Sequence, residues 1–326
     1  MPDEQIYAMG RGEDRELDAV EDELLRLDPT GDVVAEVLRD TFDQLYDGQH
    51  TGRWSFEQLF KTEKTHMGTL VEINLQRRFR FGGGDVTDYR IAGVQVDCKY
   101  SMREGGWTLP PEVIGHLALV VSADDASSRW MAGLVRVHEA LMNPGRNRDA
   151  KGVLSAAGRL CVRWLWSEHG YLAPNLFLEL DHSTRDRIFH ARASSGAQHG
   201  QAKVNELFRS VQRRVIRRAE LATVAQQDDF MKRARGNGGA RTHLQPEGIL
   251  VLGHQGDDPV VARDLGLPTP QKGEFVSARV VPCEPSNDFD AAEIAGGYWR
   301  LAEPSDPVVP APVIPRRRKA DATSGG

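Results

Sequence analysis

The sequence predicts an α/β chain of two domains, each packing helices on β-structure. Three observations lead there. Apolar residues switch from helical spacing in the N-terminal third to two-residue alternation around residues 88–99, then to short apolar runs. A polar stretch carrying Gly170 and Pro174 breaks the chain near its middle. Charge also changes sign: residues 1–50 hold 4 arginines, no lysine and 15 acids, a net of −11, whereas residues 181–245 hold 13 lysines and arginines against 6 acids, a net of +7.

At 326 residues the chain has room for about two ordinary domains. Its net charge of −6 is a poor guide to partners, because the local basic excess governs contact with nucleic acid. No apolar run approaches the roughly 18 residues of a membrane span, and the acidic N-terminus lacks a signal-peptide pattern. A cytoplasmic protein with no membrane partner is expected. Cys98, Cys161 and Cys283 are odd in number, far apart and never spaced Cys-x-x-Cys. Buried free thiols are expected, rather than a disulfide framework or a thiolate zinc site.

Residues 13–45 are rich in Glu, Asp and Leu, and Val34, Val37, Leu38, Phe42 and Leu45 share one helix face. The following Leu45-Tyr46-Asp47-Gly48-Gln49 resembles the Lys-x-Asp-Gly motif of ATP-dependent ligase nucleotidyltransferases, with leucine where the lysine must be. No adenylate forms on leucine, so a helix end and an Asp-Gly turn are expected. Over 65–79, Met67, Leu70, Val71, Leu75 and Phe79 predict a second helix, with Glu72 beside its apolar stripe. Gly82-Gly83-Gly84 lacks the Gly-Lys-Ser/Thr ending of a phosphate loop and reads as a plain loop.

From Asp88 to Lys99 two β-prone runs flank Ala92-Gly93, as in a hairpin. Val94, Val96 and Cys98 fall on one face of the second run, while Gln95, Asp97 and Lys99 fall on the other. The strand before it can bring Asp88 close to Asp97 and Lys99. Asp-x-Lys recurs by chance, but with Glu72 on the preceding helix and Asp88 one strand upstream the order resembles the PD-(D/E)xK nuclease fold. Thr87, not proline, precedes Asp88. Hard carboxylate oxygens from Asp88 and Asp97 suit Mg2+ against a scissile phosphate. Lys99 would hold or polarise the attacking water, and Glu72 would complete the shell directly or through water.

Beyond Lys99, a Gly-, Trp- and Pro-bearing loop over 101–111 precedes buried strands over 114–121 and 130–137. After the turn Asn143-Pro144-Gly145, the run Arg146-Asn147-Arg148-Asp149 offers donors and acceptors to base edges, with Asn147 and Arg148 as candidate readers, though a solvated loop fits equally. An apolar element over 160–166 closes the first domain. The boundaries expected are 10–166 for it, 167–174 for a linker, 175–302 for a second DNA-binding domain, and 303–326 for a Pro-rich basic tail that is mostly mobile.

In the second domain, Val204, Leu207, Phe208, Val211 and Val215 predict a helix over 202–215. Arg209, Arg213, Arg214, Arg217 and Arg218 add positive charge on and after it. A β-prone run over 221–225 leads to a helix over 226–235 exposing Lys232, Arg233 and Arg235, which Gly236-Asn237-Gly238-Gly239 stops. Strands are expected over 248–253 and 275–281. Two basic helices followed by strands suggest an α+β winged helix-turn-helix.

The segment Lys61-Thr62-Glu63-Lys64-Thr65-His66-Met67-Gly68-Thr69-Leu70-Val71-Glu72-Ile73-Asn74-Leu75, with Val94-Gln95-Val96-Asp97-Cys98-Lys99, closely resembles the NaeI family of type IIE restriction endonucleases over nearly the whole chain. The resemblance implies a nuclease domain with Glu72, Asp88, Asp97 and Lys99 as the catalytic site. It also implies a second DNA-binding domain similar to that of the catabolite activator protein. A Mg2+-dependent homodimer cutting the palindrome GCCGGC, activated by a second bound duplex, follows from it. A DNA-binding regulator with a dormant nuclease domain is the competing class, against which the intact acid set argues. Nicking with religation is a third, against which Leu45 argues.

Overall fold

The computed structural model describes residues 13–145, 147–166, 171–193, 199–285 and 290–315. The chain divides into two units, one comprising Met1–Tyr46 and Ser55–Leu178, the other Asp47–Trp54 and Glu179–Gly326. The first unit thus runs through the stretch expected as a linker, where Leu172 is buried, and into residues 175–178. Residues 167–170 of that stretch lie outside the described residues.

Asp14 caps helix α1 (Arg15–Leu27): its carboxylate accepts from the Leu17 amide at 3.0 Å, and Glu16 and Asp18 favour the same positive helix end. Asp28 then accepts from the amides of Gly31 and Val34 and starts α2 (Asp32–Tyr46). Its Val34, Val37, Leu38, Phe42 and Leu45 are buried, as their spacing predicts. So is Arg39, which pairs with Asp125 and with Asp43. The Tyr46 hydroxyl and the Asn175 amide also donate to Asp125, at 2.6 and 2.7 Å.

At Asp47, which adopts a φ of 47°, the chain enters the second unit, forms the single turn α3 (Gly48–Thr51), and returns at Ser55. The ligase-like wording is therefore a helix end and a turn. Helix α4 (Lys61–Phe79) buries Met67, Val71 and Leu75 at four-residue spacing and stops at Arg80, whose φ is 58°.

The first unit's sheet runs β1 (Gly82–Gly83), β2 (Tyr89–Ile91), β3 (Val94–Ser101), β4 (Leu117–Asp124), β5 (Arg129–Arg136), β6 (Arg163–Trp166), with only β3 and β4 parallel. Gly82 and Gly83, expected in a loop, pair with Arg90 and Tyr89 as a short edge strand. Ala92 (φ 49°) and Gly93 (φ 81°) form the tight turn between β2 and β3. The strand expected over 114–121 starts later, at Leu117, because a turn led by Pro111 and the left-handed Gly115 occupy the preceding residues. Along β4, Leu117, Leu119 and Val121 join the core under α1, α2 and α4, while Ala118 and Val120 join Trp107, Leu109 and Val135 on the other face. The short α5 (Ala156–Leu160) precedes β6, and α6 (Leu176–Glu179) leads out of the unit.

The second unit continues with α7 (His182–His190), α8 (His199–Ser210), β7 (Val215–Ile216), α9 (Arg218–Ala225), α10 (Phe230–Ala234), α11 (Ala240–Leu244), β8 (Ile249–Leu252), α12 (Asp258–Asp264), β9 (Phe275–Cys283), β10 (Ala291–Ile294) and β11 (Gly297–Leu301). Strand β9 is central: β7, β8 and β11 all pair with it antiparallel, and β10 pairs with β11. Residues 221–225, expected as a strand, form the end of α9. The Glu220 carboxylate accepts from the Arg217 amide at 2.7 Å, and burial of Leu221 and Val224 outweighs the β-propensity of Thr223 and Val224. The helix expected over 202–215 ends at Ser210, since Arg213 turns left-handed (φ 60°) and Val215 enters β7. Of 226–235 only Phe230–Ala234 is helical, because Gln226 takes a φ of 49°.

Residues 303–315, expected to be mobile, lie along this unit. Arg279 donates to the carbonyls of Glu303, Asp306 and Pro307, Arg300 pairs with Asp306 at 2.7 Å, and Ala311 is buried with its amide on the Gln245 carbonyl. The remainder of the expected tail, 316–326, lies outside the described residues. No helix among the described residues is long and apolar enough to cross a membrane.

Candidate active site

Helix α4 presents Glu72, half-buried, one residue beyond the buried Val71. The Tyr89 hydroxyl donates to the Glu72 backbone carbonyl at 2.7 Å and so ties the first residue of β2 to this turn of the helix. Asp88 lies immediately before β2. The register that pairs Tyr89 with Val96 brings it beside Asp97 on β3. On β3, Val96 and Cys98 are buried as predicted; Asp97, on the polar face, is only 5% exposed.

These residues converge on the Lys99 ammonium. Its Nζ lies 2.5 Å from Asp97 Oδ2 and 3.5 Å from Asp88 Oδ2, and it donates to the Cys98 carbonyl at 3.0 Å. Asp88 Oδ2 also accepts from the Cys98 amide at 2.7 Å. Burial pushes the Asp97 carboxyl up to about 7; Lys99 opposes that shift and Asp88 adds to it. Burial and then Asp88 raise Glu72, with Lys99 pulling the other way. Burial works against the Lys99 charge, but Asp97 and then Asp88 hold its pKa above the ordinary value. Two carboxylates thus share one ammonium, and Asp97 and Glu72 bind protons more readily than usual.

That charge excess suits a hard divalent cation, because bringing a positive charge in favours the ionised acids. Asp97 Oδ2 is buried and, although close to Nζ, has no aligned hydrogen-bond donor, so a lone pair remains for a cation. Among the described residues no three His, Cys, Asp or Glu side chains close on one metal point. Asp88 and Asp97 are drawn to Lys99 instead. A cleft of about 460 Å3 lined by residues such as Asp14, Arg136, His138 and Cys161 shares no residue with the acid cluster.

The candidate DNA contacts divide. Asn147 Oδ1 accepts from the amides of Asp149 and Lys151 at 3.0 and 2.9 Å, so this side chain builds its own loop; Arg148 is exposed beside it, and Arg146 lies outside the described residues. In the second unit, Arg213 donates to the Ala302 carbonyl, Arg214 pairs with Glu179, Arg217 with Glu220 and Arg233 with Asp229. Lys232 and Arg235 are exposed and make no ion pair among the described residues. Sequence reasoning gave no role to Tyr89, Thr87 or Gln95. The signal for Gln95 was present, since it shares the strand face of Asp97 and Lys99.

The sequence profile of the family "Restriction endonuclease NaeI" matches residues 18–310. The chain is 60% identical over 304 residues to the type II restriction enzyme NaeI of Lentzea aerocolonigenes, covering 93% of this chain and 96% of that protein. With both matches spanning the acid cluster and nearly all of both units, the chain belongs to the NaeI restriction endonuclease family.

Proposed function

We propose that this restriction endonuclease hydrolyses duplex DNA with Mg2+ at the site formed by Glu72, Asp88, Asp97 and Lys99. The observation that carries this reading is the pairing of Asp88 and Asp97 with Lys99 at the β2–β3 hairpin, with Glu72 raised by burial and by Asp88. Asp88 and Asp97 would hold the ion, with Glu72 joining directly or through water. When bound, the ion neutralises charge on the scissile phosphate and acidifies a water. Lys99, already cationic between two acids, holds and polarises the attacking water and offers charge to the developing phosphorane oxygens. Val96 and Cys98, packed beneath, keep β3 from shifting as charge builds.

The order α8–β7–α9–α10–α11–β8–α12–β9, with β7 and β8 on β9, supports the winged helix-turn-helix reading of the second unit. There α11, joined to β8 by one tight turn over Gln245–Glu247 and Gly248, carries exposed Thr242 and His243 and is the candidate groove helix. Lys232 and Arg235 are the candidate phosphate contacts. The target expected from the family resemblance is GCCGGC, read by a homodimer whose two-fold axis matches the palindrome, with a second duplex bound as activator.

Incubation of supercoiled plasmid bearing such sites with enzyme and Mg2+ tests this. Linear fragments are expected. Unchanged plasmid at saturating enzyme would favour a DNA-binding regulator instead, and relaxed circles a nicking activity.

A further inference from the structure

Asp88 ends a loop that no strand holds. Between Gly83 of β1 and Tyr89 of β2, the backbone hydrogen bonding among the described residues is a single long contact, the Gly84 amide to the Asp88 carbonyl at 3.4 Å. The loop is instead braced by one side chain. Gln95 Oε1 accepts from the Asp85 amide at 3.1 Å and the Thr87 hydroxyl at 2.9 Å, and its Nε2 donates to Asp85 Oδ2 at 3.2 Å. The Thr87 hydroxyl also lies 3.1 Å from the Tyr89 carbonyl, so its one proton is shared between two acceptors on either side of Asp88. Gly84 permits this closure: a Cβ there would lie 2.2 Å from the Thr87 carbonyl and 2.7 Å from Gln95 Oε1. Thr87 is buried, whereas its neighbour Val86 is 56% exposed, so burial fixes little of the loop except at Thr87.

We propose that Gln95 is a positioning residue for Asp88, acting through the Thr87 hydroxyl, and that this hydrogen bond restrains the residue before the acid as a proline ring would. The inference rests on the reading of Asp88 as a site residue. Thr87 has a negative φ, and its amide makes no hydrogen bond among the described residues, so a proline there removes no backbone donor that is in use, only the hydroxyl whose restraint it replaces. Losing the brace frees the Asp88 backbone, and the carboxylate then leaves the Cys98 amide that it accepts from at 2.7 Å. Buried groups behind metal-binding carboxylates commonly alter metal affinity or activity about 10- to 100-fold when removed.

The test is a double-mutant cycle of Gln95→Leu and Thr87→Ala in the full-length chain, with two readouts. One is hydrogen exchange at the Cys98 amide in metal-free protein; the other is the Mg2+ concentration that half-saturates plasmid cleavage. Each single variant is expected to speed Cys98 exchange and to raise the Mg2+ requirement by about tenfold or more. The double variant should be little worse than either, because both break the shared Thr87–Gln95 hydrogen bond. Thr87→Pro in the Gln95→Leu background is expected to recover most of both losses. Wild-type Cys98 exchange in Gln95→Leu, or losses that multiply as for independent sites, overturns the proposal. If the wild type fails to cleave at all, the nuclease reading falls, while the metal-free exchange still judges the brace.

Discussion

Asp125→Ala is expected to destabilise the first unit severely, because it strands a buried cation. Asp125 is 2% exposed and Arg39 3% exposed; Asp125 receives the Arg39 guanidinium, the Tyr46 hydroxyl and the Asn175 amide. Burial works against the Arg39 charge, yet Asp43 and Asp125 together raise its pKa, so it stays ionised. Removing one member of a buried pair costs about 3–5 kcal/mol. Asp43, still 3.0 Å from Arg39, retains part of the compensation, whereas Tyr46 and Asn175 each lose an acceptor at about 1–3 kcal/mol apiece, not additively. The expected net loss is about 4 kcal/mol, a large share of the roughly 5–15 kcal/mol that holds a domain together. In urea, with a slope of about 2 kcal/mol/M, the midpoint of the first unit's transition should fall by about 2 M. The double variant Arg39→Met, Asp125→Leu should recover the share due to the stranded guanidinium, because that cation is gone, while Tyr46 and Asn175 still lack the Asp125 acceptor. A midpoint shift below about 0.5 M for Asp125→Ala, or a double variant no better than the single, would refute the reasoning.

Other expectations concern the surface and the chain crossing. Arg136 holds the Asp14 carboxyl below its ordinary value, so the charged form stabilises the fold above the unfolded value near 4 and the contribution disappears as pH falls through the lower folded value. Asp14→Asn, which keeps a capping side chain, should therefore lower the melting temperature at pH 7 and have a vanishing effect towards pH 3, in paired thermal melts. Replacing Lys232 or Arg235 with alanine should reduce the slope of log K against log salt for second-site DNA binding by about 1 each. Arg214→Ala, whose side chain already pairs with Glu179, should change that slope less. Gly48→Ala places a Cβ 2.0 Å from Thr223 Oγ1 and 2.9 Å from the Arg53 carbonyl. A loss of about 1–3 kcal/mol is expected, read as faster hydrogen exchange in α9.

Much of the first unit was legible because its helices and hairpin obey local rules. Met67, Val71 and Leu75 announce α4 by spacing alone, and Ala92-Gly93 marks the hairpin because two consecutive residues must take positive φ. Asp97 and Lys99 share a strand face by the two-residue period, so their meeting needed no tertiary information. What was hidden depends on partners distant in sequence. Arg39 looks like an ordinary polar position on a helix until Asp125, 86 residues away, is placed against it. Asp47–Trp54 joins the second unit through close fits such as Gly48 on Thr223, which hydropathy does not register. Nor does the sequence alone show where the arginines of the basic stretch pair. Arg213, Arg214, Arg217 and Arg233 carry the charge that suggests a DNA surface, yet in the fold each is committed to a carbonyl or a carboxylate of its own unit.

The most direct measurement is cleavage by Asp97→Ala alongside its DNA affinity, with the wild type as reference. Asp97 is buried beside Lys99 and only 5% exposed, so its proposed part is in the chemistry rather than in recognition. The account predicts that the variant binds duplex DNA within a few-fold of the wild type and leaves supercoiled plasmid uncut at any Mg2+ concentration. Wild-type cleavage by the variant, or lost binding with turnover unchanged, would contradict it.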